Sequence, residues 1–237
     1  MQAPRPENAE ASPEFRGKLL WLKIGLAQEL LNTAAQRFWT SPELARVFPC
    51  FLRELYSMVS CSVPLMRAAV ERARELGEGD ALAVKTAAYL EQHIVEEAHH
   101  DEWLLDDLAA SGMDRAELLR RPPGANVAQL IGAQYCWIGH AHPAAVFGYL
   151  AVIEGNPPLE EHLNEIAAQT GYSPETFRCL RQHAADDVEH LKDLHATITQ
   201  LPLRAEDETL IAMSALATVD GLVRLFEEMI TKAGGAN

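Results

Sequence analysis

The sequence is poor in aromatic residues, in basic residues and in cysteine, and these shortages narrow the range of possible functions. Aromatic residues make up 7% of the 237 residues. Lysine and arginine number 20 against 34 aspartates and glutamates, which gives a formal net charge of −14. Such a surface repels nucleic-acid backbones and anionic lipid, so we expect neither nucleic acid nor a membrane as a partner. The four cysteines form no CxxC pair, which excludes a zinc ribbon and indicates reduced thiols in a cytoplasm.

The sequence also has no long uninterrupted apolar run. The longest strongly apolar stretch, residues 144–153, is far shorter than the roughly 20 residues that a membrane-spanning helix needs. Residues 1–14 are rich in Pro, Ala and Glu and lack the basic start and apolar block of a signal peptide. We expect this segment to be disordered.

What the sequence does contain is helix-forming residues in blocks separated by Pro and Gly. Hydrophobic residues make up 48% of the chain, and no long stretch alternates apolar and polar positions as a strand would. We therefore expect one all-α domain over residues 15–233, a bundle of about seven helices. Pro64 predicts a kink or break in the second helix. The predicted helical blocks are 15–38, 50–76, 81–111, 125–154, 158–169, 173–200 and 206–232, and the fourth block is interrupted by Gly139, Pro143 and Gly148.

The histidines are confined to one part of the chain. All nine lie between residues 93 and 195. The first cluster, HIVEEAHH, places His93, Glu97 and His100 in an H-x3-E-x2-H spacing. On a continuous helix these offsets put the three side chains on one stripe. Imidazole and carboxylate on one stripe are the ligand types that a divalent transition metal takes from a helix.

A second cluster repeats the spacing. In HAADDVEH, the residues His183, Asp187 and His190 again form one stripe of a predicted helix. One such triplet alone is more simply explained as a solvated face, because short motifs occur by chance. Two triplets of the same spacing on two helices favour a metal site to which both helices contribute.

Glu154 ends the apolar segment 144–153 and is a third candidate ligand. A carboxylate at the end of a buried helix must be compensated, either by solvent at the surface or by a metal ion. The sequence leaves both possibilities open for Glu154.

Three segments, HIVEEAHHDEWLLDDLAASG, GHAHPAAVFGYLAVIEG and HAADDVEH, together resemble the iron-containing redox enzymes of the haem-oxygenase-like di-iron oxidase superfamily. The resemblance runs in order across about residues 45–200. It implies a haem-oxygenase-like helical bundle and one or two iron ions that use O2 to oxidise a small organic substrate, often derived from an amino acid or a fatty acid. The ligands that it implies are Glu97 and His100 as an ExxH pair, Glu154 as a bridging or second-iron carboxylate, and His183, Asp187 and His190 as the HxxxDxxH helix.

The sequence departs from the family pattern at one expected ligand. The family has a glutamate just ahead of an apolar-Pro pair, and here Cys61 or Ser62 occupies that place. Glu54, seven residues earlier on the same helical face, is a possible substitute. His93 has no firm counterpart and is a candidate for a supporting role. The number of metal ions therefore stays open.

The working hypothesis is an O2-dependent iron oxidase or oxygenase, with a small-molecule substrate. One alternative is a metal-free enzyme on the same fold, similar either to thiaminase II, with Cys136 as its nucleophile, or to the pyrroloquinoline-quinone synthase. Another is a non-catalytic helical protein that binds metal or a partner. A homodimer and a carrier protein or peptide also stay open as partners. The aromatic residues that either line a cavity or pack the core are Trp103, Tyr135, Trp137, Phe147 and Tyr149.

Overall fold

The computed structural model describes residues 11–155, 157 and 159–234. All regular structure within these residues is helical, so the prediction of an all-α fold is confirmed. The expected disordered segment lies outside the described residues up to residue 10, and the first helix already begins at Pro13. The α-helices are α1 (Pro13–Trp39), α2 (Leu44–Leu76), α3 (Ala81–Glu96), α4 (His100–Ala110), α5 (Arg115–Arg120), α6 (Ala125–His140), α7 (Val146–Ile153), α8 (Glu160–Thr170), α9 (Arg178–Gln200) and α10 (Ala205–Gly234).

Local capping residues fix several of the helix ends. The Ser12 hydroxyl accepts a hydrogen bond from the amide of Phe15 at 3.2 Å, and the Asp80 carboxylate accepts one from Ala83 at 2.9 Å. Both satisfy an amide that the first helical turn leaves without a partner. Gly77 ends α2 at a positive φ of 76°. These signals are local, which is why the sequence predicts the starts of α1 and α3 to within a few residues.

The break predicted at Pro64 is wrong. The helix α2 continues through both Pro49 and Pro64 from Leu44 to Leu76. It packs against α3, α4 and α6, and this packing holds the helix together where a proline removes one backbone hydrogen bond.

The single helix predicted over 81–111 is also wrong. The helix α3 ends at Glu96, and α4 begins at His100. Between them His99 adopts a left-handed conformation with φ of 74°. This turn changes the direction of the chain in the middle of the first histidine cluster, so His93 and His100 do not lie on one helical stripe.

The buried apolar residues form one connected core, and four helices frame its polar centre. The helix α10 packs along α1, α6 and α7, while α9 packs against α1 and α4. By length and composition α10 is apolar enough to cross a membrane, with a mean hydropathy of 1.5 over its best window, but half of that window is buried inside the bundle. The helix itself was predicted over 206–232, but its mean hydropathy is not evident from uninterrupted apolar runs, because polar residues are scattered along it. The elements that carry the candidate site are α3, α4, α7 and α9.

Candidate metal centre

Histidine and carboxylate side chains of the described residues converge in two groups. Glu97, His100 and His183 form the first group, and His93, Glu96 and His190 form the second. Within each group the possible ligand atoms all lie within 4.8 Å of one another. We call them metal group one and metal group two.

Metal group one joins the α3–α4 turn to α9. Oε2 of Glu97 lies 2.9 Å from Nδ1 of His100, although the alignment is not that of a hydrogen bond. The rings of His100 and His183 meet edge to face, with centroids 4.6 Å apart. His100 is 2% exposed, so the group is shielded from bulk water.

A backbone contact fixes the ring orientation of His183. Its Nδ1–H donates to the carbonyl of Cys179, one turn earlier on α9, at 2.9 Å. Burial lowers the pKa of His183, which favours the neutral ring. A neutral imidazole whose Nδ1 is held by a carbonyl keeps the lone pair of Nε2 for a metal ion.

Metal group two lies between α3 and α9. Oε2 of Glu96 is 3.4 Å from Nδ1 of His93 and 3.8 Å from Nε2 of His190. His93 stacks on Tyr89 and meets His190 edge to face. The three possible ligand atoms therefore face a common point.

Glu154 supports His93 from α7. Nε2–H of His93 donates to Oε1 of Glu154 at 2.9 Å, and Glu154 is 5% exposed. The alternative of a solvated Glu154 is therefore wrong. Burial alone would lower the pKa of His93, but the hydrogen bond and charge of Glu154 outweigh it and raise the pKa to about 9.

Glu97 of metal group one also approaches metal group two, and Asp187 lies beside the same histidine. Oε1 of Glu97 is 3.6 Å from Nδ1 of His190, and Oδ1 of Asp187 is 3.9 Å from the same nitrogen. Burial and the charges of Glu154 and Glu97 raise the pKa of Asp187 to about 8. The side chains of both groups therefore form one continuous polar centre, which is buried at His93 and His100 and reaches the surface at the exposed Glu96.

This centre places four carboxylates, those of Glu96, Glu97, Glu154 and Asp187, around one histidine with a raised pKa, and it leaves several polar atoms without hydrogen-bond partners. Nδ1 of His100, Nδ1 of His190 and Oε2 of Glu154 are buried and have no hydrogen-bond partner among the described residues. Buried polar atoms without partners are rare in native proteins, and carboxylates crowded without cations destabilise one another. Divalent cations would satisfy both requirements, and the donor set of nitrogen and carboxylate oxygen suits iron. The residues therefore fit the implied metal ions.

Of the six predicted ligands, Glu97, His100, His183 and His190 belong to the two metal groups, whereas Glu154 and Asp187 belong to neither and lie beside them. His183 and His190 share a stripe of α9 but belong to different metal groups. His93, predicted as a supporting residue, contributes Nδ1 to metal group two. Glu154 holds that histidine through one of its oxygens.

The two proposed substitutes for the missing glutamate lie outside both metal groups. The Glu54 carboxylate pairs with Arg53 at 3.1 Å and lies against Gly124 at the start of α6. Cys61 is half-buried, and burial raises the pKa of its thiol. The neighbouring Ser62 hydrogen bonds to the hydroxyl of Tyr149 at 2.9 Å. No described residue of α2 therefore contributes to either group.

Sequence reasoning missed Glu96. It lies three residues after His93, a spacing that places two side chains on one helical face. Glu97 was predicted instead, because it completes the triplet spacing that α9 repeats. Once the chain turns after Glu96, the two neighbouring glutamates face different metal groups. The i, i+3 spacing of His93 and Glu96 is the sequence feature that could have identified Glu96 as a candidate ligand.

The aromatic candidates are divided between core, site and surface. Phe147 and Tyr149 are fully buried, and Trp103 stacks on His100 with ring centroids 4.5 Å apart. Tyr135 is exposed on α6, as is Cys136 next to it. The Cys136 thiol therefore faces solvent, away from the buried polar centre.

Comparison with protein families decides the classification. A sequence model described as "iron-containing redox enzyme" matches residues 50–222, which span α2 to α10. The chain belongs to this family. The resemblance seen in its three sequence segments is thereby confirmed, while a comparison with curated proteins gave no match.

Solved structures show the fold of this family member. A domain of unknown function with a haem-oxygenase-like fold from Shewanella denitrificans has 17% identity and a TM-score of 0.74, over 92% of both chains. A TenA homologue from Pseudomonas syringae has 14% identity and a TM-score of 0.67, over 97% of this chain and 98% of that one. At these identities the likeness shows a haem-oxygenase-like fold.

Proposed function

We propose that the chain is an iron-dependent oxidoreductase that holds two metal ions inside the bundle and uses O2 to oxidise a small organic molecule. The observation that carries the proposal is the adjacency of the two metal groups, linked by Glu97 between His100 and His190. Membership of the iron-containing redox enzyme family supports it. The four unpaired cysteines support a reducing, cytoplasmic setting.

Each metal group would hold one ion through two imidazoles and a carboxylate. Bound iron would supply the electron transfer to O2, which amino-acid side chains do not provide. The Cys179 carbonyl orients His183, whose burial favours the neutral ring, and Glu154 orients His93. The fully buried side chains of Phe147 and Tyr149 exclude water from one side of the centre.

Anaerobic titration with ferrous iron, followed by measurement of iron per chain, tests the proposal. We expect about two iron ions per chain in the unmodified protein. His183→Ala and His190→Ala should each lose about one, because they belong to different groups. His162→Ala, which removes an exposed histidine of α8, is the matched control and should keep both.

Exposure of the iron-loaded protein to O2 with a reductant should then consume O2, and the two ligand variants should be slower. Iron binding no greater in the unmodified protein than in a His183→Ala, His190→Ala double variant would overturn the proposal. Turnover by iron-free protein that is lost in Cys136→Ser would instead support the metal-free alternative.

A further inference from the structure

A cavity of about 300 Å³ lies between α3 and α9, beside metal group two. Its volume is at the small end of the range for small-molecule pockets. Lining residues on α9 extend from His190 to Gln200, which corresponds to about 15 Å along the helix. A molecule in this cavity would lie directly against His93, Glu96 and His190. The complete lining is Tyr89, Gln92, His93, Glu96, His190, Asp193, Ala196, Thr197 and Gln200.

One wall of the cavity carries a hydroxyl group without a partner. The Tyr89 hydroxyl is buried and forms no hydrogen bond with any described residue. The Tyr89 ring stacks on His93, with centroids 5.4 Å apart, so the residue reaches metal group two. A buried hydroxyl of this kind is available to a ligand.

The lining contains two acidic groups, and the positive charge favoured on His93 is opposed by the buried Glu154 to which it donates. Glu96 and Asp193 are acidic, and no lysine or arginine lines the cavity. Of the lysines on the same two helices, Lys85 hydrogen bonds to the Gln200 carbonyl at 3.2 Å, and Lys192 pairs with Glu189. Burial and then the charges of nearby acids, Glu96 and Asp193 among them, raise the pKa of Tyr89 far above its usual value, which agrees with a negative potential.

Asp193 is an exposed acidic residue of the cavity lining, one helical turn from His190. It follows His190 by three residues on α9, so the two side chains share one face of the helix. Asp193 belongs to neither metal group, whereas Glu96 would be engaged by a metal ion. Asp193 is thus the acidic group of the lining that remains for an organic cation.

We propose that this cavity binds a small organic cation, such as a primary amine, through Asp193, with the rest of the molecule beside metal group two. The inference rests on the proposed function in treating that group as the reaction centre, and it specifies the chemical class of the substrate. A carboxylate-bearing molecule of the same shape would be repelled by Asp193 and Glu96.

Binding of three matched probes to the metal-free full-length protein tests the inference. The probes are 2-phenylethylamine, 2-phenylethanol and 3-phenylpropionate, which share a ring and a short chain and differ in charge. Calorimetry should show the amine binding about threefold to tenfold more tightly than the alcohol, with the carboxylate weakest. The range is modest because Asp193 is exposed.

Asp193→Asn should reduce the preference for the amine, because it removes one of the two acidic charges of the lining and keeps the shape, while Glu96 stays free in the metal-free protein. Glu189→Gln is the matched control, since it removes an exposed acid of α9 that pairs with Lys192 and does not line the cavity. This control should keep the preference.

Absence of amine binding, equal affinity for the three probes, or an unchanged preference in Asp193→Asn would overturn the inference. The outcome of this binding experiment is independent of the outcome of the iron titration. An amine preference with no iron bound would defeat only the proposed function, and two bound irons without an amine preference would defeat only the substrate class.

Discussion

Two histidines of the centre are each oriented by a hydrogen bond from one ring nitrogen. His183 uses Nδ1 to donate to a carbonyl, and His93 uses Nε2 to donate to Glu154. The remaining nitrogen of each ring therefore faces its metal group. The partners of the histidines consequently matter as much as the histidines themselves.

Asp107 is a residue of this supporting kind. It is fully buried on α4, and its carboxylate accepts a hydrogen bond from the amide of Cys179 at 2.7 Å. Cys179 in turn orients His183. We expect Asp107→Ala to weaken binding at metal group one about tenfold or more, and Asp107→Asn, whose amide oxygen can accept the same bond, to restore most of it. Titration with cobalt(II), followed by its absorption spectrum, measures this.

A variant of a second buried polar residue, Thr218, distinguishes a general loss of stability from the loss of a contact that positions a ligand. Thr218 on α10 accepts a hydrogen bond from Gln134 at 3.3 Å, in a network between α6 and α10. Thr218→Ala should lower stability without changing cobalt affinity. Equal losses of affinity in Thr218→Ala and Asp107→Ala would show that Asp107 has no positioning role.

At the scale of elements, the turn between α3 and α4 determines which ligands belong to which metal group. The helix α9 is continuous, so the predicted stripe of His183, Asp187 and His190 is correct. The first triplet spans the turn, where His99 holds a positive φ of 74°, a conformation that costs energy for a residue with a Cβ.

His99→Gly tests this turn. Glycine adopts a positive φ freely, so we expect the free energy of unfolding to rise by about 0.5–1 kcal/mol with metal binding unchanged. Ala88→Gly, on the exposed face of α3, should lower it by about 0.5–1 kcal/mol. Urea unfolding of both variants measures the difference. Destabilisation of similar size in both would contradict a left-handed residue at position 99.

At the scale of the whole molecule, close packing of α7 on α10 places Glu154. A Cβ at Gly148 would meet the carbonyl oxygen of Ile211, while a Cβ at Gly139 on α6 would meet nothing within 4 Å. Gly148→Ala should therefore lower the free energy of unfolding by about 1–3 kcal/mol. Because α7 carries Glu154, this variant should also weaken metal binding.

Gly139→Ala is the control for this packing contact. It adds the same methyl group to an exposed helical position and should raise the free energy of unfolding by about 0.4–1 kcal/mol. Thermal unfolding of the metal-free proteins compares the two. Stabilisation by Gly148→Ala would show that α7 and α10 are not in close contact.

The sequence by itself determined the helical class, most helix limits and the residue types of the metal centre. Helical periodicity, caps and ligand spacing act within a few residues of the chain, so they can be read without coordinates. Only the tertiary structure decided that His93 pairs with Glu154, that Glu96 joins a second group and that Glu54 and Cys61 stand apart. Those outcomes depend on distances between residues far apart in the chain, and on a turn at His99 that only the packed bundle revealed.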